Sequence, residues 1–112
     1  MAYDEELAQR FRDLLEGLPG ISEKKMMGGI CFMVDGNMIG GADRTKDGQG
    51  RFMFRVGKEN QEEAKARFGG EIMEMGGRKM SGFFFVDEGC GQERLVEWVN
   101  FAHAFASSLP AK

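Results

Sequence analysis

The chain has 112 residues, of which 42% are hydrophobic and 29% are charged, with a formal net charge of −3 and an isoelectric point near 5.2. A chain of this length buries about 65% of the surface that its unfolded form exposes, so one hydrophobic core is enough to fold it without a metal or a disulfide. The negative charge excludes a general attraction to nucleic acid phosphates. No apolar run reaches the about 20 residues of a transmembrane helix, and the acidic N-terminus lacks signal-peptide features. We therefore expect a cytoplasmic protein.

The first predicted element is a helix over residues 4–17. It begins with acidic residues, which suit the positive end of the helix dipole, and it ends before the helix-breaking sequence Leu18-Pro19-Gly20. Its apolar residues recur at helical spacing, so one face must pack against another layer. These residues are Leu7, Phe11, Leu14, Leu15 and Leu18.

A β-hairpin is predicted next, over residues 26–41. Residues 26–34 alternate with a period of two and are apolar on both faces, which is typical of a central strand. The sequence Asp35-Gly36 favours the positive φ angles of a tight turn, and residues 37–41 return as a short partner strand.

Three more strands are predicted further along the chain. Residues 42–50 have the polarity and glycines of an exposed loop, and residues 51–56 alternate as a half-buried third strand. Residues 71–75 and 78–86 flank the turn sequence Gly76-Gly77 and supply the fourth and fifth strands.

Two further helices complete the pattern. Residues 58–68 are mostly polar and predict a short surface helix, whereas residues 92–108 predict a longer helix with one apolar side. The element order predicts an α+β fold, a two-layer sandwich in which a roughly five-stranded antiparallel sheet carries the N- and C-terminal helices on one face. The apolar side of the last helix consists of Leu95, Trp98, Val99, Ala102, Phe105, Ala106 and Leu109.

Short sequence blocks recur from the first predicted helix to the last residues of the chain. Residues 24–29 read lysine-lysine-methionine-methionine-glycine-glycine, and residues 77–82 form a glycine-arginine block with Lys79 where proline is common. Further matches are Phe32, Val34, residues 36–38, the pair Arg55-Val56, and Ser108-Leu109-Pro110. In their order and spacing these blocks resemble the N-terminal domain of the TfoX/Sxy family, with a methionine replacing an aromatic residue in the first block.

The resemblance implies both a fold and a role. The family fold is a two-layer α+β arrangement akin to secretion chaperone-like domains, with a five-stranded antiparallel sheet, and its members are linked to competence and transcription regulation in bacteria. Full-length competence regulators also carry a C-terminal helical domain, for which 112 residues leave no room. We therefore expect a single TfoX N-terminal-like domain over residues 1–112.

The sequence contains no evident catalytic or metal-binding constellation. His103 is the only histidine, while metal sites need three or four converging ligands. Cys31 and Cys90 lack CxxC spacing, so we expect free thiols, with Cys31 in the core and Cys90 more exposed and a candidate for redox reactivity. The glycine pairs lack the context of a P-loop or a dinucleotide site. We expect no catalytic residues, no metal and no cofactor, and we lean towards a protein that is not an enzyme.

Basic residues within the family blocks form a candidate site for an acidic partner, an anion or a nucleic acid. They lie on or beside predicted strands and converge if those strands are neighbours. The alternative is a solvated face whose ion pairs with Glu23, Glu71 and Glu74 contribute only ~0–1 kcal/mol each. The candidate residues are Lys24, Lys25, Arg55, Arg78 and Lys79.

Aromatic residues and methionines suggest two kinds of binding surface. Residues 81–86 weakly echo the RNA-binding motif of the RRM, although a strand that packs on both sides explains Phe83–Phe85 better. Methionines on the predicted strands favour an adaptable protein interface, and a homodimer is the simplest way to cover a sheet with two apolar faces. These methionines are Met26, Met27, Met33, Met38, Met53, Met73, Met75 and Met80.

The leading interpretation is a small non-enzymatic module that binds protein partners, in a homodimer or with another protein, in competence or transcription control. The first alternative is a nucleic-acid-binding accessory protein that uses the basic residues. The second alternative is a small-molecule-binding or anion-binding domain that uses Arg55, Arg78 and Cys90.

Overall fold

The computed structural model describes residues 5–26, 29–45, 47–68, 71–75 and 77–110, and for Met26 and residues 71–75 and 78–80 it describes the backbone. Six strands form one sheet in the order β1-β2-β3-β4-β6-β5, and each neighbouring pair is antiparallel. The predicted α+β class is confirmed. The elements are α1 (Glu5–Leu14), β1 (Ile21–Met26), β2 (Gly29–Val34), β3 (Asn37–Arg44), β4 (Gly50–Arg55), a 3₁₀ turn (Lys58–Asn60), α2 (Gln61–Phe68), β5 (Glu71–Met75), β6 (Arg78–Asp87) and α3 (Gln92–Ser107).

Strand β1 is the element that the sequence pattern does not reveal, and it raises the strand count from the expected five to six. Residues 22–25 are polar and exposed, so they show no alternation of apolar and polar side chains. A charged sequence suits this position because β1 is an edge strand, and charged edge strands discourage pairing with other chains. The two lysines of the first family block thus lie at one edge of the sheet.

The hairpin between β2 and β3 is confirmed, with Asp35 at φ 49° and Gly36 at φ 85° in the turn. Its first strand, predicted from residue 26, begins at Gly29 instead, because Met26 ends β1 and pairs with Gly29. Two successive positive φ angles match the twist of the flanking strands, which explains the Asp-Gly sequence. A bulge opposite Phe32 and Met33 leaves Ile39 without a partner in the ladder and buries it completely. Strand β3 then continues to Arg44, which pairs with Gly50, so the loop is shorter than expected.

Helices α1 and α3 pack on one face of the sheet, here called the covered face, whose centre consists of Phe32, Phe52, Phe54 and Phe84. On α1, Phe11 stacks on Phe32 and Phe54, with ring centroids 4.6 and 5.4 Å apart. On α3, Trp98 lies 5.5 Å from Phe54 and 5.2 Å from Phe84. The predicted two-layer arrangement therefore rests on one aromatic cluster.

The apolar faces predicted for the helices are the faces that pack. In α1 and just after it, Leu7, Phe11 and Leu15 are buried, while Leu14 and Leu18 pack at the margin. Most of the predicted face of α3 is fully buried, whereas Phe105 and Leu109 are half-buried near the end of the helix. The buried residues of α3 are Leu95, Trp98, Val99, Ala102 and Ala106.

Two polar contacts fix the ends of the helical layer. Arg12 of α1 makes a forked pair with Glu23 of β1, with Nε–Oε2 and Nη2–Oε1 distances of 2.8 and 2.7 Å. After α3, the backbone carbonyl of Pro110 accepts a hydrogen bond of 3.0 Å from the buried Asn37 side chain.

None of the described helices has the length and the hydropathy of a membrane-spanning segment.

Candidate functional site: the open face and the edge cleft

The opposite face of the sheet, here called the open face, carries the apolar side chains that alternate with the core residues. In the register of the strands, Met33 lies opposite Met38 and Met53 lies opposite Phe85. Cys31 is 9% exposed, and the other apolar residues of the open face are half-buried. Within the described ranges, the helices pack on the covered face and leave this face uncovered. The central part of the open face consists of Cys31, Met33, Met38, Asp43, Arg51, Met53, Phe83 and Phe85, and the strand registers place Lys24, Arg55 and Asp87 at its margins.

One ion pair sits among these apolar residues. Arg51 donates from Nε and Nη2 to the two carboxylate oxygens of Asp43, over 2.7 and 3.1 Å. Its guanidinium carbon also lies 3.8 Å from the ring centroid of Phe85. A forked pair stacked on an aromatic ring holds the guanidinium in one plane and neutralises its charge within the face. The Arg51–Asp43 pair therefore adds no net charge to the apolar residues that surround it.

The five predicted basic residues occupy separate parts of the sheet. Lys24 and Lys25 are exposed on β1, where alternation directs them to opposite faces. Arg55 lies on β4, which β2 and β3 separate from β1 by about 14 Å, and its guanidinium carbon is 5.3 Å from the Phe105 ring. Arg78 and Lys79 begin β6, and their side chains lie outside the description. The condition for convergence, that the strands be neighbours, is not met between β1 and either β4 or β6.

Glu23, one of the carboxylates considered as a partner for the lysines, instead pairs with Arg12. The hydrogen bonds from Arg12 hold the pKa of Glu23 below its usual value. Hydrogen bonds to Glu23 and Glu5 in turn raise the pKa of Arg12. The Arg12–Glu23 pair joins α1 to β1. The side chains of Glu71 and Glu74 lie outside the description, and the predicted basic site stays a prediction.

The two thiols are free and unactivated. Burial, with a smaller contribution from Asp43, raises the pKa of Cys31. Burial also raises the pKa of Cys90, although Arg94 and Arg10 partly oppose that rise. Both thiols are therefore protonated at neutral pH, the form that is a poor nucleophile. No group of three or more potential metal ligands occurs among the described residues.

Strand β6 explains the aromatic run that echoed an RNA-binding motif. Phe84 is fully buried in the core, whereas Phe83 and Phe85 are half-buried on the open face. The element order begins with a helix and four successive strands, which differs from the βαββαβ order of the RRM. The aromatic run therefore follows from a strand that places Phe84 in the core and Phe83 and Phe85 on the open face.

A cleft of about 590 Å³ opens at the edge of the sheet, and the sequence did not reveal it. It lies beside the end of β6. In the described pairing of β6 with β5, Phe85 lies opposite Glu71, and Val86 and Asp87 extend past the end of β5. The end of α2, the start of α3 and the loop between β3 and β4 form its other walls. This edge cleft is lined by Thr45, Gln49, Arg51, Phe68, Phe85, Val86, Asp87, Cys90, Arg94 and Trp98.

The edge cleft combines aromatic rings with two guanidinium groups. Phe68 packs against Trp98 with ring centroids 4.9 Å apart, and Arg94 Nη1 donates to the Arg67 carbonyl over 3.1 Å. Asp87 accepts hydrogen bonds from the Gln49 side chain and the Gly89 amide, which lower the pKa of Asp87.

Sequence reasoning identified one residue of this cleft, Cys90, among the three that it considered for a small-molecule site. Arg55 is not among the residues that line the cleft, and the side chain of Arg78 lies outside the description. The other lining residues are far apart in the sequence, and the local pattern around each of them predicts only a core or a surface position. Only the pairing of β4 with β6 and the packing of α2 on α3 bring them together.

Comparison with known protein families gives a match that covers most of the chain. The family model of the TfoX N-terminal domain matches residues 13–106, from α1 to the end of α3. A search of curated proteins and a search of solved structures found no match. The fold class and the order of the sequence blocks agree with the family match. The chain therefore belongs to the TfoX N-terminal domain family.

Proposed function

We propose that this chain is a non-enzymatic protein-interaction module in bacterial transcription or competence control, and that it docks through the open face. The observation that carries the proposal is a sheet face rich in methionine and phenylalanine that the described helices leave uncovered. Methionine side chains adapt their shape to a partner surface, and aromatic residues contribute much of the binding energy at interfaces. The family match supports the regulatory setting, for which we expect a cytoplasmic location.

We propose a second copy of the chain as the partner that this face accommodates. A symmetric interface brings each residue of a face against the same face of the other copy, so a face of one charge sign would repel itself. The open face is not of one sign, because Arg51 and Asp43 neutralise each other at its centre and its margins carry Lys24, Arg55 and Asp87. In such a dimer, the helices bury the apolar side chains of the covered face and the second copy buries those of the open face.

The size of the face sets the expected strength of this association. The four strands β2, β3, β4 and β6, about 4.8 Å apart and about 20 Å long, span roughly 400 Å² in projection. A stable interface of standard size buries about 800 Å² on each partner. We therefore expect a weak dimer whose population depends on protein concentration.

Direct nucleic-acid binding has less support. The net charge is −3, and the candidate lysines lie on an edge strand, separated from Arg55 by two intervening strands. A continuous basic stripe, the usual footprint of nucleic-acid binding, would need these positions to be adjacent.

Analytical ultracentrifugation of the wild type and of two variants tests the docking surface. Met53→Glu places a charge at the centre of the open face, whereas Val96→Glu places the same charge on α3, where Val96 is 43% exposed. We expect the wild type and V96E to approach twice the monomer mass of 12.5 kDa as concentration rises, and M53E to remain a monomer. A monomeric wild type at every concentration, or dimerisation of M53E like that of V96E, contradicts the proposed partner.

Transcript profiling in the native host tests the regulatory part of the proposal. We compare a deletion strain complemented with the wild type, with M53E or with V96E. Restoration by the wild type and V96E but not by M53E supports regulation through the open face. Identical transcript levels in the deletion strain and its parent contradict a regulatory role.

A further inference from the structure

We propose that the edge cleft binds a small aromatic carboxylate. In this arrangement the guanidinium groups of Arg51 and Arg94 hold the carboxylate, and the rings of Phe68 and Phe85 pack against the aromatic part. This ligand site goes beyond the proposed docking function: it shares Arg51 and Phe85 with the open face, but its other contacts, Phe68 and Arg94, lie on α2 and α3, and binding of a small molecule needs no protein partner.

The size of the cleft fits such a ligand. Its volume of about 590 Å³ lies within the range of about 300–1,000 Å³ that is typical of small-molecule sites. Apolar rings with a few convergent polar groups are also the composition expected of such a site. The cleft is lined by three aromatic side chains from different elements: Phe68 ends α2, Phe85 lies in β6 and Trp98 lies in α3.

The two arginines retain donors for an anion. Arg51 uses Nε and Nη2 for Asp43, and Arg94 uses Nη1 for the Arg67 carbonyl. Within the described part of the chain, Nη1 of Arg51 and both Nε and Nη2 of Arg94 make no hydrogen bond. Because Asp43 and Phe85 hold the Arg51 guanidinium in place, an incoming carboxylate meets a donor group that is already oriented.

The acidic residue of the cleft does not cancel this attraction. Asp87 directs its oxygens to the Gln49 side chain and the Gly89 amide. Each arginine also has a carboxylate partner, since Arg51 pairs with Asp43 and Arg94 Nη1 lies 3.8 Å from Glu97 Oε1. A carboxylate ligand is therefore favoured by the guanidinium N–H groups that stay unused among the described residues, and not by a net positive charge of the cleft.

The aromatic walls determine which anion fits best. Phe68 packs at an angle of 51° against Trp98, and the guanidinium carbon of Arg94 is 5.9 Å from the centroid of Phe68. Flat rings and a nearby guanidinium favour offset stacking with another flat ring, which a saturated ring or an inorganic anion does not provide. We therefore expect benzoate to bind more tightly than cyclohexanecarboxylate or inorganic phosphate.

Nuclear magnetic resonance titration of the whole chain with these three probes tests the proposal. Trp98, the single tryptophan, and Cys90 both line the cleft, so the indole N–H and the Cys90 amide report binding there. We expect benzoate to shift both signals in a saturable manner, with at least about tenfold weaker binding in Arg94→Gln and Arg51→Gln. Arg12→Gln is the matched control, because Arg12 forms a similar forked pair outside the cleft.

Each outcome of the titration decides the proposal. Tighter binding of benzoate, lost in R94Q and R51Q but kept in R12Q, supports it. Absence of a saturable shift with benzoate, equal affinity for cyclohexanecarboxylate or phosphate, or an unchanged affinity in R94Q overturns it. If R51Q fails to fold, R94Q decides alone, because the Arg94 side chain is 43% exposed and its replacement leaves the core intact.

Discussion

The two faces of the sheet use the same strands for different purposes. On the covered face, Phe32, Phe52, Phe54 and Phe84 are all 0% exposed and meet rings from α1 and α3. On the open face, methionines and half-buried phenylalanines surround one ion pair. Rigid stacked rings specify a single packing, whereas methionines and a forked pair leave a surface that adapts to a partner. The covered face thus holds the fold, and the described helices leave the open face uncovered, as the proposed docking requires.

The strongest test of this comparison truncates two adjacent residues of β4. Phe54→Ala removes a ring that touches both Phe11 and Trp98, and we expect the free energy of unfolding to fall by about 3–5 kcal/mol. Met53→Ala removes a half-buried side chain from the other face, and we expect a loss of about 1 kcal/mol. Urea denaturation of both variants measures the difference, and equal losses would show that the open face is a second core.

A second test addresses the backbone that the two faces share. A Cβ atom on Gly40 would lie 2.0 Å from the Met53 carbonyl oxygen, so strands β3 and β4 approach too closely for a side chain at this position. We expect Gly40→Ala to lower the free energy of unfolding by about 2–3 kcal/mol, because backbone atoms cannot move aside as a flexible side chain does. Thermal unfolding measures the loss.

Gly91→Ala is the control for this variant, because a Cβ on Gly91 meets nothing within 4 Å. Gly91 is the N-cap of α3, where we expect a cost below about 1 kcal/mol. A Gly40→Ala protein as stable as Gly91→Ala would mean that the two strands have room for a side chain.

The smallest expected effect is a pH dependence at the rim of the covered face. The pKa of Glu23 is lowered by Arg12, so the stabilisation is present at neutral pH and is lost as the pH falls through the folded-state pKa. We expect Glu23→Gln to lower the free energy of unfolding by ~0–1 kcal/mol at pH 7 and to have no effect near pH 2. Urea denaturation at several pH values measures this convergence.

Glu62→Gln on α2 serves as the control for this pH series, since Glu62 is exposed and lies away from the α1–β1 contact. Its difference from the wild type is expected to stay near zero at every pH. A Glu23→Gln difference that grows as the pH falls would contradict the assignment, because the sign of the effect follows from a lowered pKa.

Much of the fold was predictable from local patterns. Leu7, Phe11, Trp98 and Ala102 follow helical spacing, and Asp35-Gly36 marks a turn that only a few residue types accommodate. Strand β1 was not predictable, because its polar residues pair with β2 only through the backbone at a solvent edge. Backbone pairing leaves no periodic trace when neither face of a strand is buried.

The candidate site was less predictable than the fold. The open-face methionines were expected at an interface, and Met33, Met38 and Met53 do share that face, whereas Met26, Met27, Met73, Met75 and Met80 lie outside the described residues or side chains. The basic residues were chosen on the condition that their strands are neighbours, and strand order is a property of the whole sheet. The cleft had no signal in the sequence, because its described walls come from four separate elements and two loops.

The sequence by itself therefore determined the family, the α+β class, the hairpin turn and the apolar faces of the helices, since these follow from short local patterns and from their order along the chain. Tertiary structure alone decided the strand order, the pairing of Arg51 with Asp43, the face left uncovered and the cleft beside β6. The physical reason is that local conformation follows from the preferences of neighbouring residues, whereas a binding surface depends on which distant residues the packed sheet brings into contact.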